Sequence, residues 1–152
     1  MNGGGAVGLM GAVTDGAMDA GGEVTGVIPK FMVDNGWCYE RLEDVIVTAD
    51  MHQRKQMMSE MADAVIALPG GVGTLEELLE TLTWRQLGLV KVPVIILNTQ
   101  GYYDSLLEML QHAIDEGFMK PSHSQLWQVA STPAEAIALV DGAQPLDFES
   151  KY

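Results

Sequence analysis

AVIALPGGVGTLEELLETL, residues 64–82, carries the reading of the fold. Ala64–Leu68 is a continuous apolar run, the pattern of a strand covered on both faces, as in a parallel sheet. Pro69-Gly70-Gly71 stops it. Leu75, Leu78, Leu79 and Leu82 then recur at i, i+3, i+4 and i+7, which predicts a helix with one apolar face running to about Gly88. The stretch is therefore strand, glycine turn, helix. Working outward, the same unit repeats. Val24–Ile28 (ended by Pro29), Val45–Thr48 and Val92–Leu97 read as strands, and Leu126–Ala130 as a weaker one. Leu106, Leu107, Leu110 and Ile114 predict a second amphipathic helix, with Gly117 placed to close it. Thr132-Pro133-Ala134-Glu135 reads as an N-cap, a first-turn proline and a capping-box glutamate. Alternating strands and helices predict an α/β layered fold with a parallel sheet.

Length and composition narrow the function classes. A chain of 152 residues suits one domain, 1–152, and 47% hydrophobic with 19% charged residues argues for a packed core rather than disorder. No apolar run approaches the roughly 18 residues of a membrane span. Met1 is followed by Gly3-Gly4-Gly5 almost at once, not by a basic and then apolar leader, and Cys38 has no partner for an internal disulfide. A cytoplasmic protein is the expectation. Net charge is −13, from 8 basic and 21 acidic residues, which disfavours DNA, RNA and anionic lipid. A small anionic ligand would need a pocket made positive locally by backbone N–H groups and a few cations.

The loop at 69–74 is where such a pocket is expected. Gly70, Gly71 and Gly73 have no Cβ, so they tolerate positive φ and let a ligand approach the backbone. Helix-start N–H groups favour a phosphate there. The loop lacks the lysine of a Walker A sequence, so nucleoside triphosphate hydrolysis is not indicated. A plain strand-to-helix turn with a Thr74/Glu77 capping box would explain the same residues. A second cluster is Met51-His52-Gln53-Arg54-Lys55, with Asp50 as a candidate cap. Adjacent Arg and Lys on a helix usually mark a solvated face. Gly3-Gly4-Gly5-Ala6-Val7-Gly8 formally fits the dinucleotide fingerprint, but its required preceding strand is absent from the pattern. His52, His112 and His123 have no metal-ligand spacing with one another or with Cys38, so no metal site is predicted and helix-face or surface positions are expected. The ten methionines read as core filler, and Trp84, Tyr102 and Tyr103 as packing, with Trp84 a candidate dimer contact.

PGGVGTLEE matches the PGGxGTxxE motif of the LONELY GUY family of cytokinin-activating phosphoribohydrolases, often mislabelled lysine decarboxylases. GGGAVGLMGAV, GGEVTGVIPK, ADMHQRKQMM, WRQLGL, KVPVIILN and GYYDSLL extend the resemblance, in the family's order, over nearly the whole chain. The resemblance implies a Rossmann-like parallel sheet with helices on both faces and a homodimer. It also implies hydrolysis of the N-glycosidic bond of adenosine-type 5′-monophosphates (AMP or an N6-modified AMP) without a redox or pyridoxal cofactor. Carried over to this sequence, Arg54 and Glu77 are the candidate catalytic residues. Gly4, Gly5, Gly8, Lys55, Gly70, Gly71, Gly73 and Thr74 are the candidate substrate contacts.

The front of the chain departs from the family, whose members begin with a further strand, helix and strand before the GGG loop. The expectation is an N-terminally incomplete sheet, split where its central strand is missing, with strand edges exposed. Two other functional classes stand beside the enzyme: a non-catalytic nucleotide or molybdenum-cofactor carrier, and an inactive fragment.

Overall fold

The computed structural model describes residues 1–143. The single-domain reading of 1–152 runs into residues 144–152, which lie outside the described ones. The chain divides into two compact units, Met1–Ala62 and Asp63–Tyr152.

The first unit contains α1 (Gly8–Asp19), β1 (Thr25–Pro29), α2 (Lys30–Asp34), β2 (Asp44–Thr48) and α3 (Met51–Met61). β1 and β2 pair in parallel, in register from Thr25↔Asp44 to Pro29↔Thr48. Asn2 also pairs with β1 in a parallel bridge to Gly26. Its N–H donates to the Thr25 carbonyl at 3.0 Å, and its own carbonyl accepts from Val27 N–H at 2.9 Å. The glycine loop that follows therefore does leave from strand-like backbone, which a pattern search over two residues could not register. Val27, Ile28 and Pro29 of β1 and Leu42 are the buried apolar side chains of this unit.

The second unit holds β3 (Val65–Ala67), α4 (Val72–Gln86), β4 (Val94–Leu97), α5 (Asp104–Asp115), β5 (Gln128–Ala130) and α6 (Pro133–Asp141), with 3-10 turns at Thr99–Gly101 and Pro121–Leu126. Its three strands are parallel in the order β3-β4-β5. β4 is central and buried at every position, as the continuous apolar run requires. Its side chains alternate between two clusters. Val94 and Ile96 pack with Leu78 and Leu82 of α4, with Leu106, Leu107 and Leu110 of α5 at the margin. Ile95 and Leu97 pack with Ala136, Leu139 and Val140 of α6. Helices thus cover both faces of this sheet, the α/β architecture expected. Among the described residues, the strands form two parallel sheets, of two and three strands.

The helix ends follow the local signals. Asp50 caps α3 by accepting from Gln53 N–H at 2.9 Å, and Thr132 caps α6 by accepting from Glu135 N–H at 3.2 Å. Gly117 takes φ +79° just past α5, and its N–H bonds the Ile114 carbonyl. Val92 and Pro93 fall outside β4, since proline has no N–H for the ladder; the Pro93 carbonyl still accepts from Val65 N–H at 2.9 Å. Leu126 closes a 3-10 turn instead of opening β5. The core-filler expectation for the methionines holds only in part: Met119 packs against the α4–β4 cluster, but no methionine is fully buried among the described residues, Met57 and Met58 are half-buried, and Met61 and Met109 are exposed. Branched residues of β1 and β4 fill the most buried positions. Among the described residues, no helix is long and apolar enough to cross a membrane.

Ile96 sits in the central strand with no exposed surface. Ile96→Ala is expected to lower unfolding free energy by about 2–5 kcal/mol through lost transfer energy and a cavity, read as a shift in the urea midpoint.

Candidate active site

The candidate residues fall into two groups, one in each unit. In the first unit, the glycine loop 3–5 is held by its neighbours. Gly4 N–H donates to Asn2 Oδ1 at 2.9 Å, and the Gly4 carbonyl accepts from Tyr39 N–H at 2.8 Å. Asn2 Nδ2 in turn donates to the fully buried Thr14 hydroxyl at 2.8 Å. Gly4 (φ +73°) and Gly8 (φ +67°) occupy the left-handed region, where a side chain would be strained. Gly5 does not, and its N–H donates to the Met10 sulfur at 3.0 Å.

Arg54 corrects the solvated-face expectation: only 6% of its surface is exposed. α3, started by Asp50, turns this side chain inward against the glycine loop. A Cβ on Gly3 would fall 2.0 Å from Arg54 Nη2, so the guanidinium lies where only glycine leaves room. Nη1 lies 3.6 Å from the Met51 sulfur. A buried cation is costly to desolvate, so Arg54 is a packed, fixed side chain and not a solvated surface charge. Lys55, one residue on, is half-buried. Gly3 is a member of this constellation that sequence reading left out. Its partner lies some fifty residues away, so only the packing reveals it.

In the second unit, β3 delivers the chain into Leu68-Pro69-Gly70 and then α4. The capping-box reading of Thr74 and Glu77 is overturned: Gly71 is the N-cap, with no side-chain cap bond, and α4 is already under way at Val72. Thr74 is the third helical residue. Glu77 lies well inside the helix and is half-buried, whereas Glu76 is exposed. The glycines serve differently from expectation, because Gly70, Gly71 and Gly73 all have negative or extended φ. Gly70 is required by contact, since a Cβ there would lie 2.2 Å from Thr74 Oγ1 and 2.8 Å from its Cβ. Gly71 and Gly73 face open space. Their lack of a side chain leaves the first-turn backbone bare, and those N–H groups carry the positive end of the helix dipole.

Two residues assigned to packing also hold this loop. Tyr102 hydroxyl donates to the Gly70 carbonyl at 2.8 Å, and Tyr103 hydroxyl to the Leu68 carbonyl at 2.5 Å. Burial pushes the Tyr103 hydroxyl pKa up, so it stays a donor. Arg85, on α4, is buried too and donates through Nη1 to the Val92 carbonyl; burial lowers its pKa. It braces the turn between α4 and β4. His123 corrects the surface expectation: it is buried, and its Nδ1 accepts from Lys120 N–H at 3.1 Å inside a 3-10 turn. His52 and His112 are exposed. Among the described residues, no three His, Cys, Asp or Glu side chains gather as a metal ion would require.

The family model described as possible lysine decarboxylase matches residues 10–140. The chain belongs to this family, the LONELY GUY proteins. Two Arabidopsis thaliana proteins named cytokinin riboside 5′-monophosphate phosphoribohydrolase are 44% and 47% identical, over 95% and 94% of this chain. A probable enzyme of the same name from Oryza sativa subsp. japonica is 49% identical over 88% of it. The chain spans 64%, 66% and 63% of those three relatives. Among solved structures, the molybdenum cofactor binding protein from the phototrophic bacterium Rippkaea orientalis is similar. Its TM-score is 0.67 at 27% identity, covering 91% of this chain and 73% of that one.

The contrast between the loop glycines is open to measurement. Gly70→Ala is expected to cost about 1–3 kcal/mol because backbone or Thr74 must move. Gly73→Ala, helical and unobstructed, is expected to leave stability unchanged or raise it by up to about 1 kcal/mol. Urea melts of the two variants check both signs.

Proposed function

We propose that the chain hydrolyses the N-glycosidic bond of adenosine-type 5′-monophosphates, AMP or an N6-modified cytokinin riboside 5′-monophosphate, to free base and ribose 5-phosphate. The observation that carries this reading is the bare, uncapped start of α4 at PGGVGTLEE, in a chain 44–49% identical to relatives named for that reaction. In this reading the backbone N–H groups of Gly70, Gly71, Gly73 and Thr74 take the 5′-phosphate, whose charge suits a helix start. Gly4, Gly5 and Gly8 let the nucleotide approach the first glycine loop, and Lys55 adds positive charge.

The chemistry needs a carboxylate. As the C1′–N bond breaks, its electron pair leaves with the base and oxocarbenium character builds on the ribosyl ring. Glu77 is the group proposed to stabilise that charge and to orient the water that adds at C1′; the base departs carrying a proton. Arg54 acts on the phosphate or beside the departing base. Its burial against Gly3 supports a fixed rather than a mobile role. No metal, redox or pyridoxal cofactor has a step here. The same reading takes the whole chain as one catalytic domain of a cytoplasmic homodimer that serves as an AMP nucleosidase or in cytokinin biosynthesis.

A second reading, a carrier that holds a nucleotide or molybdenum cofactor without hydrolysis, is favoured by the likeness to the molybdenum cofactor binding protein. A carrier needs the loop but not the acid. Glu77→Gln therefore separates the two. The enzyme reading expects adenine release from AMP to fall by about 10²–10³-fold or more, with AMP binding changed little. The carrier reading expects no adenine from either protein and equal binding. With the capping box gone, a loss of activity in this variant cannot be assigned to a lost helix cap; thermal melts alongside verify that stability is unchanged.

A further inference from the structure

Consecutive tyrosines reach two carbonyls of one loop. Tyr102 and Tyr103 stand in a tight turn after β4, and their hydroxyls donate to the carbonyls of Gly70 and Leu68, the residues on either side of Pro69. The rings pack edge-to-face, with centroids 4.9 Å apart and planes at 86°. Tyr103 is 2% exposed and part of the core, whereas Tyr102 is 56% exposed. An exposed ring contributes little to the core, yet its hydroxyl is placed on one particular carbonyl.

The turn that presents them is itself constrained. Asn98 N–H donates to the Ala130 carbonyl of β5 at 2.7 Å, and Asn98 Oδ1 accepts from Tyr103 N–H at 2.6 Å. Asn98 Nδ2 donates to Asp104 Oδ1 at 2.7 Å. Gln100 has φ +56° and is the only non-glycine residue in the left-handed region among those described. Gly101 follows at φ +71°, where a Cβ would meet Asp104 Oδ2 at 2.5 Å. Such backbone persists only where its surroundings enforce it. Here they enforce the position of two hydroxyl groups.

The peptide unit is rigid and planar, so the Gly70 carbonyl and the Gly71 N–H point in opposite directions from one plane. Holding that carbonyl fixes the aim of the N–H. A carbonyl that accepts a hydrogen bond also polarises its own peptide and strengthens the N–H as a donor. Gly71 is the N-cap of α4 and has no side chain to do this for itself. We propose that Tyr102 is a positioning residue for phosphate binding. Its hydroxyl fixes the Gly70–Gly71 peptide so that Gly71 N–H is aimed at the 5′-phosphate, while Tyr103 pins the base of the loop from within the core. The role rests on the reading that this loop holds a nucleotide 5′-phosphate.

Tyr102→Phe removes the one hydroxyl and keeps the ring. In the full chain it is expected to raise KM and Kd for AMP roughly three- to tenfold, the weight of one hydrogen bond. The rate at saturation is expected to stay within about twofold and the melting temperature to be unchanged. Wild-type cleavage of AMP with unchanged KM and Kd in the variant overturns the positioning role alone. So does a loss that tracks stability only. A wild-type protein that neither binds nor cleaves AMP overturns the functional reading and this role with it.

Discussion

The bare start of α4 is the constraint on which the candidate site depends. A helix leaves its first N–H groups without intrahelical partners, and most sequences answer with a side-chain cap. This chain does so at α3 with Asp50 and at α6 with Thr132. It does not at α1, α2, α4 or α5, and of these α1 and α4 follow its glycine loops, starting from Val7 and Gly71. Relative to a Ser, Thr, Asp or Asn cap, the Val7 start forgoes about 1 kcal/mol of stability and the Gly71 start only about a few tenths. That loss is acceptable where a ligand supplies the missing acceptor. In a chain of net charge −13, backbone N–H groups are also the most economical way to make a surface attract an anion.

The rest of each unit keeps its loop in place. In the second, β4 runs through the middle of the sheet and feeds one face to α4 and the other to α6, so the strand that precedes the loop and the helix that follows it share a core. Gly70 against Thr74 sets the turn, and the two tyrosines hold its carbonyls. In the first, Asn2 and Tyr39 hold the Gly3–Gly5 loop, and Gly3 leaves the space into which Arg54 is packed. Glycine therefore does three separate things: it permits left-handed backbone at Gly4 and Gly8, permits close contact at Gly3 and Gly70, and leaves backbone uncovered at Gly71 and Gly73.

Much of this was legible in the sequence because local rules govern it. The branched run VIIL becomes a buried parallel strand, the periodic leucines become α4 and α5, and the caps at Asp50, Thr132 and Gly117 lie where short-range chemistry puts them. What local pattern could not reveal depends on contacts distant in sequence. The burial of Arg54 against Gly3, the reach of Tyr102 and Tyr103 to the loop, and the burial of His123 are of this kind. Thr74 and Glu77 show the converse error. Their spacing is that of a capping box, but Gly71 can start a helix earlier than any side-chain cap would, so both residues end up inside α4.

Comparing AMP with adenosine tests the central claim most directly, because the two differ only in the phosphate that the start of α4 is held to bind. The purified chain is expected to release adenine from AMP and at least about 10²-fold more slowly from adenosine, the loss of a charge-assisted set of hydrogen bonds. Equal rates from both, or no adenine from AMP at concentrations that saturate binding, would contradict a phosphate-directed hydrolase built on that loop.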